Sequence, residues 1–153
     1  MEPITPAEAR QFLEEAKVAH IGVVSDGEPY VTPMSFVVND DRILFRTKPG
    51  RRYEALRANP NVSIEVSRFD DETGDWTSVI VKGVARECPE GDCQETVELL
   101  MKKYESVLGS PLAHGGGLQP MSSFPHVVLV EIKEISGMTS GRGFTVRTRP
   151  GRL

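Results

Sequence analysis

The 153-residue sequence lacks any long hydrophobic run and has only two cysteines and three histidines. A membrane helix needs about 20 consecutive apolar residues, and no stretch of this chain approaches that length. Residues 1–6 contain neither a basic segment nor an apolar segment, so no signal peptide is predicted. From these absences we expect a cytoplasmic protein with no membrane partner.

Cysteine and histidine are too sparse to predict a metal site or a hydrolytic site. Cys88 and Cys93 lie in a polar turn, and no further cysteine or histidine is close enough in the sequence to complete a zinc site. Pairing and metal binding are alternatives, and free thiols are the prediction. The sequence has no Ser/His/Asp arrangement and no suitably spaced pair of carboxylates. We therefore nominate no catalytic residue and no metal ligand.

The overall charge excludes a dedicated nucleic-acid-binding protein. The chain carries 18 basic and 22 acidic residues, a net charge of −4, and 39% of its residues are hydrophobic. A chain of this length is expected to form a single domain. The predicted parts of that domain are an N-terminal helix (1–17), a barrel with inserted helices (18–136) and a basic C-terminal tail (137–153).

Local patterns predict antiparallel strands with three helices. Thr5-Pro6-Ala7-Glu8 is a capping box and marks the start of the first helix. Asp26-Gly27 predicts a tight hairpin turn, and Gly83 predicts a bulge or a close approach within the longest strand. Six strands are predicted, at residues 18–25, 30–39, 42–47, 61–67, 77–87 and 126–135, with helices at 5–17, at 50–59 and from 92 onward.

The order of these elements predicts the architecture. The first three strands are joined by short turns, which predicts a meander, and regular β-α-β alternation is absent. A small antiparallel barrel with flanking helices fits this order best. Closure of the barrel also removes exposed strand edges.

Basic residues crowd the loop and first turn of the second predicted helix. Six of the 18 lysines and arginines fall between residues 42 and 57, against one acid, Glu54. A helix N-terminus is already partly positive, so cations there are unfavourable unless an anion binds between them. We therefore predict a phosphate-binding corner for a phosphorylated cofactor, and a solvated basic turn is the alternative. This basic corner consists of Arg46, Lys48, Arg51 and Arg52, and Thr47 either adds a hydroxyl to the phosphate or caps the loop.

Four segments follow one another in a recognisable order: 27–36 (GEPYVTPMSF), 44–52 (LFRTKPGRR), 56–63 (LRANPNVS) and 76–83 (WTSVIVKG). Together they resemble the flavin-binding split-barrel superfamily, the pyridoxamine 5'-phosphate oxidase-like group that includes nitroimidazole-resistance proteins. Residues 131–137 resemble the closing strand of that family, and the tail after residue 137 matches none of its motifs. In the nitroimidazole-resistance branch a histidine often stands where this chain has Arg46.

The resemblance implies a mainly β fold with flanking helices, a six-stranded antiparallel split β-barrel of the FMN-binding type. It implies a homodimer with FMN at the subunit interface. The segment holding Pro33, Met34, Ser35 and Phe36 would run beside the edge of the isoalloxazine ring. The segment 46–52 would take the phosphate. Trp76 and Ser78 would contribute to the same pocket, and for Trp76 the alternative is an anchor of the dimer interface.

The expected function is an FMN-dependent oxidoreductase that acts on a small molecule by hydride or electron transfer at the flavin. Two alternatives keep the fold and change the ligand: a deazaflavin (F420) reductase, whose cofactor also carries a phosphate, and a haem-binding protein. A third alternative is a non-catalytic flavin carrier or redox-sensing module.

Overall fold

The computed structural model describes residues 1–108 and 125–141. Within these residues one 3-10 helix (Glu90–Asp92), three α-helices and eight strands form. In chain order the strands and α-helices are β1 (Glu2–Pro3), α1 (Pro6–Glu15), β2 (Ala19–Ser25), β3 (Glu28–Met34), β4 (Val37–Asn39), β5 (Arg42–Thr47), α2 (Arg51–Ala58), β6 (Asn61–Phe69), β7 (Trp76–Glu87), α3 (Cys93–Leu108) and β8 (His126–Thr139).

The strands form one antiparallel sheet in the order β3-β2-β6-β7-β8-β5-β4, and β1 pairs with the end of β8. The two end strands, β3 and β4, are consecutive in the chain and are separated only by Ser35 and Phe36. The sheet therefore curls so that its two ends meet at this junction. The predicted mainly antiparallel barrel with flanking helices is confirmed.

The predicted strand at 30–39 is two strands, and the predicted meander is wrong at this point. β3 pairs with β2, whereas β4 pairs with β5. At the break, the backbone N–H and C=O of Phe36 lie 3.1 and 3.2 Å from the hydroxyl of Tyr104, which is 68 residues away in the chain, and not against a neighbouring strand. This division and the short β1 raise the number of described strands from the predicted six to eight.

The final strand also extends further than predicted. β8 runs to Thr139, past the predicted end at residue 135, because its last residues pair with β7 and with β1. The first residues of the predicted tail are therefore part of the sheet. Residues 142–153 of that tail, and residues 109–124 between α3 and β8, lie outside the described residues.

The main core fills the inner face of the curled sheet. α1 contributes to it with Ala9, Phe12 and Leu13, which recur at helical spacing and are all buried. The predicted capping box holds the start of this helix: the Thr5 hydroxyl accepts from the Glu8 N–H at 3.2 Å, and the Glu8 carboxylate accepts from the Thr5 N–H at 2.7 Å. Helix α2 adds Ala55 and Leu56, and Phe36 comes from the junction between β3 and β4. The strands supply most of the rest, including Ile21, Phe45, Ile64, Val66, Val79, Val81 and Val130.

The predicted irregularity at Gly83 is present. The register of β7 against β8 shifts between Lys82 and Gly83. A Cβ at position 83 would lie 2.7 Å from the carbonyl oxygen of Glu131 and would overlap the side chain of Val130. Only glycine allows the two strands to approach this closely without a shift of the backbone.

Helix α3 lies against the opposite side of the sheet. Its Leu100 packs in a second cluster of buried residues with Val37, Leu44 and Leu129, which come from β4, β5 and β8. None of the helices within the described residues has the length and apolar character needed to span a bilayer.

Candidate functional site

Arg52, in the first turn of α2, links the end of β5 to β3. Its Nε and Nη2 donate to the hydroxyl of Thr47 at 3.2 and 3.1 Å. Its Nη1 donates to the hydroxyl of Thr32 at 3.0 Å and to the carbonyl oxygen of Pro33 at 3.3 Å. Arg52 therefore connects the predicted phosphate segment to the predicted ring-edge segment.

The surroundings of Arg52 are unusual for a half-buried cation. All four hydrogen bonds go to neutral oxygens, and within residues 1–108 and 125–141 it has no salt bridge to a carboxylate. Loss of hydration lowers the pKa of the Arg52 guanidinium below its ordinary value. A desolvated charge without a counter-charge is costly, so an anion bound here would stabilise it.

Arg51 lies at the same end of α2 and is exposed to solvent. Its Nε donates to the hydroxyl of Ser25 at 3.0 Å, and its guanidinium lies 4.2 Å from the ring centre of Tyr30. Gly50 precedes the helix with φ of 154°, a conformation that glycine adopts without strain. No side chain of the described residues caps the helix start. The first-turn N–H groups and two guanidinium groups thus occur at one end of one helix, a donor set suited to a phosphate.

The remaining predicted phosphate residues surround this helix start. Arg46 is 8% exposed, and burial lowers the pKa of its guanidinium. Lys48 is exposed, whereas Thr47 is buried. The Thr47 hydroxyl accepts from Arg52 and donates to the carbonyl oxygen of Lys48 at 3.3 Å. Thr47 therefore holds both the loop and Arg52 in place.

The predicted ring-edge segment has two kinds of side chain. Pro33 and Ser35 are exposed, whereas Met34 and Phe36 point into the core. Met34 and Phe36 can therefore contact a ligand only through their backbone. The hydroxyl of Tyr104 accepts from the Phe36 N–H and donates to the Lys17 carbonyl oxygen at 2.7 Å, which fixes this segment against α3.

Trp76 and Ser78 lie elsewhere in the chain. They are on the outer face of β7, which is separated from β3 by two strands, so the two strand axes are about 14 Å apart along the sheet. Ser78 donates to Glu65 at 3.4 Å, and Glu65 also lies 3.3 Å from the His20 ring nitrogen. Within one chain these two residues are therefore not brought next to the basic corner.

Sequence reasoning missed four residues that organise this region: Ser25, Tyr30, Thr32 and Tyr104. Tyr30 and Thr32 alternate with the buried Met34, so they share the inner face of β3, and this alternation is a signal that could have found them. The local sequence around Tyr104 contains no such signal, because its partners are about 70 and 87 residues away.

Comparisons with known proteins agree with this fold. The family model described as pyridoxamine 5'-phosphate oxidase matches residues 5–139. An uncharacterised protein of Rhizobium meliloti is 27% identical over 82 residues, and the match spans 54% of this chain and 54% of that relative. The matched region is therefore only about half the length of this curated relative.

Three solved structures have a similar fold. An FAD-binding protein from Mesorhizobium loti has a TM-score of 0.73 at 24% identity, covering 92% of this chain and 98% of that one. A 5-nitroimidazole antibiotic resistance protein from Bacteroides thetaiotaomicron, described as putative, has a TM-score of 0.70 at 18% identity, covering 90% and 86%. The FAD-binding protein from Mycobacterium smegmatis has a TM-score of 0.66 at 25% identity, covering 91% and 98%.

The family match covers nearly the whole described chain, from the cap of α1 to the last residue of β8. It thus includes β5 and α2, which carry the basic corner, and β3, whose Thr32 and Pro33 accept hydrogen bonds from Arg52. The chain therefore belongs to the pyridoxamine 5'-phosphate oxidase family, and its curled antiparallel sheet is the split barrel of that family.

Proposed function

We propose that this protein binds FMN through its basic corner and acts as an oxidoreductase on a small molecule. The observation that carries the proposal is Arg52, a half-buried cation whose hydrogen bonds to the described residues all go to neutral oxygens. Two structural neighbours described as FAD-binding proteins support a flavin as the ligand. When bound, FMN would supply hydride or electron transfer.

The residues of the site fit the phosphate of FMN. Arg51, Arg52 and the first-turn N–H groups of α2 are all donors, and a phosphate offers only acceptors and negative charge. Ser35 and the Pro33 carbonyl oxygen, which flank the buried Met34, would face the ring edge. The chain's own part is to bind the phosphate and to orient the ring. We propose no side chain as an acid or a base.

We further propose a homodimer with the flavin at the subunit interface. The outer face of β2, β3, β6 and β7 exposes four large apolar side chains: Val24 by 38%, Val31 by 61%, Phe69 by 62% and Ile80 by 47%. A partner on this face would cover them. It would also let the partner's Trp76 and the partner's Ser78 reach the flavin, which they do not reach within one chain.

The oligomeric state can be measured by light scattering on purified protein. We expect twice the chain mass of 16.9 kDa. Val31→Lys combined with Ile80→Lys should give a monomer, because two charges would be buried in the interface. Met101→Lys is the control, since Met101 is 54% exposed on α3 and away from this face. A wild-type monomer would contradict the dimer proposal and leave the phosphate proposal standing.

The phosphate proposal is tested by comparing FMN with riboflavin, which has the same ring and no phosphate. Flavin fluorescence should show that the wild-type protein binds FMN more tightly than riboflavin. The double variant Arg51→Ala, Arg52→Ala should lose this preference, because each charge-assisted hydrogen bond contributes about 1.5–3 kcal/mol. Expected FMN affinity falls by at least tenfold, while riboflavin affinity stays nearly unchanged.

The ratio of the two affinities separates a lost phosphate contact from a damaged fold. A misfolded variant would lose both ligands together, and circular dichroism would show it. An unchanged ratio of FMN to riboflavin affinity in a folded double variant would refute the placement of the phosphate. Titration with FAD in parallel tells which flavin the site prefers.

We propose that the protein is cytoplasmic. The visible spectrum of the protein purified from the cytoplasm of its native organism decides among the ligands. A double flavin band supports FMN, a single deazaflavin band supports F420, and a Soret band supports haem. Oxidation of a nicotinamide or reduction of a dye by the purified flavoprotein then separates an enzyme from a carrier.

A further inference from the structure

The two cysteines of the chain lie together where β7 ends and α3 begins. Cys88 follows the last residue of β7 and is 7% exposed, whereas Cys93 is the first residue of α3 and is partly exposed. The Cys93 thiol lies 3.8 Å from the carbonyl oxygen of Cys88 and 3.5 Å from that of Pro89.

We propose that Cys88 and Cys93 form a reversible intramolecular disulfide by exchange with a small cationic disulfide. Cys93, the accessible thiol, attacks the small disulfide as a thiolate, forming a mixed disulfide and releasing one small thiolate. Cys88 then loses its proton and attacks the Cys93 sulfur, which forms the internal bond and releases the second small thiolate. The two cysteines are oxidised, and the small disulfide is reduced to two thiols.

The surroundings of the pair set the order of attack and the class of oxidant. Burial raises the pKa of the Cys88 thiol above its ordinary value, and the neighbouring Cys93 and Asp92 act in the same direction. Cys88 is therefore the slower, resolving thiol. Asp92 and Glu95 lie one residue before and two residues after the attacking Cys93 in the sequence. Both also line the small cavity beside Cys88, where Arg42 is the basic residue among the described lining residues. Two acids against one base favour a cationic reagent over an anionic one.

The disulfide would attach α3 covalently to the sheet. The Cys88 N–H donates to the carbonyl oxygen of Val127 at 2.8 Å, so Cys88 is fixed to β8. Cys93 begins the helix, so the bond would restrain its first turn. None of the contacts proposed for FMN involves either cysteine, so this inference is independent of the proposed function.

The experiment treats the purified full chain with cystamine, a dicationic disulfide, under conditions in which the protein is folded. Because the chain has only two cysteines, thiol titration and intact mass give a complete account. We expect two free thiols before treatment and none afterwards, with a mass loss of two hydrogens and no cysteamine adduct. Hydrogen exchange at the start of α3 should slow by at least twofold.

Two matched variants resolve the steps. Cys88→Ser should stop at a single cysteamine adduct on Cys93, and Cys93→Ser should react at least tenfold more slowly because Cys88 is buried. Glutathione disulfide, an anionic reagent, should oxidise the wild-type chain several-fold more slowly than cystamine in dilute buffer. The difference should shrink at 0.5 M salt, where charges beyond a few ångströms are screened.

Three outcomes would overturn the proposal: two thiols that stay free in excess cystamine, a stable cysteamine adduct on wild-type Cys93, or a disulfide between two chains. Equal rates with cystamine and glutathione disulfide in dilute buffer would overturn the cationic preference. FMN affinity measured before and after oxidation should be the same, so a failed flavin experiment leaves this result unaffected.

Discussion

Helix α2 carries arginines at both ends, and their surroundings are opposite. At its start, Arg52 is half-buried and its hydrogen bonds within the described part of the chain go to neutral oxygens, and Arg51 donates to the Ser25 hydroxyl. At its end, Arg57 is exposed and pairs with Glu54 at 4.0 Å, one turn away. Among the described residues, Glu54 partly neutralises the charge at the end of the helix, and no carboxylate pairs with the charges at its start.

This difference shows that charge alone does not identify a binding site. A cation near a helix C-terminus interacts favourably with the helix dipole, whereas cations at the N-terminus oppose it. Arg57 therefore needs no ligand to explain its position. Arg51 and Arg52 are in the unfavourable position, and an anion between them would compensate for both the dipole and the desolvation of Arg52.

The largest expected effect is on FMN binding, and it is measured by removing one exposed arginine from each end of α2 in separate variants. Arg51→Ala should weaken FMN binding by about 10- to 150-fold, the range for one charge-assisted hydrogen bond. Arg57→Ala should change it by less than about twofold, within the range of a surface pair. The two side chains are matched, since both are exposed and both lie near a tyrosine ring, at 4.2 and 5.7 Å. Equal losses in isothermal titration would remove the distinction between the two ends.

An intermediate effect, on the free energy of unfolding, is expected from substitution of Lys103, a cation whose charged group is buried. Its Nζ lies 3.7 Å from the centre of the Phe36 ring and has no hydrogen-bond partner within the described residues. Burial, with the nearby charge of Lys17, lowers the Lys103 pKa from 10.5 to about 8, and Glu14 acts in the opposite direction. Unlike an arginine, this lysine can lose its proton instead of binding an anion.

Lys103 predicts a pH dependence of the free energy of unfolding. Between pH 8 and 10.5 the unfolded chain holds a proton at this position that the folded chain has released. Stability should therefore rise with pH across this window. Lys103→Met should flatten this rise and increase the free energy of unfolding by about 1 kcal/mol at pH 7. The increase is smaller than the full lowering of the Lys103 pKa implies, because the side chain is partly solvated. Urea unfolding at pH 7 and pH 10 measures it, and an identical pH slope in both proteins would contradict the assignment.

The smallest expected effect is the change in the free energy of unfolding that Arg52→Met causes in the absence of flavin. The variant loses four hydrogen bonds to neutral oxygens but also removes a desolvated cation. These terms oppose each other, so the free energy of unfolding should change by only about 0.5 kcal/mol. The same variant should lose the stabilisation that excess FMN gives to the wild-type protein. A large loss of stability without flavin would mean that Arg52 serves mainly to hold the barrel together.

Much of the architecture could be predicted from local patterns. The capping box of α1 and the turn at Asp26 and Gly27 are each fixed by a few neighbouring residues, and both are present. Gly83 itself predicts a close approach, which is also present, but the groups that approach it come from Val130 and Glu131 of β8. The break between β3 and β4 could not be predicted, because it depends on Tyr104, which is 68 residues from Phe36 in the chain. A strand pattern of alternating residues does not show where a distant side chain will replace a neighbouring strand.

The sequence by itself determined the mainly antiparallel fold and the crowding of cations at the start of α2. Both follow from residues that are close together in the chain: the strand and turn patterns in the first case, and the basic residues between 42 and 57 in the second. Only the tertiary structure decided which of these cations are desolvated. Arg46 is buried in β5, and burial of Arg52 requires Thr32 from β3 and Thr47 from β5 at the same place. It likewise separated Trp76 and Ser78 from the basic corner within one chain, because the strand order of a sheet is set by packing of the whole core.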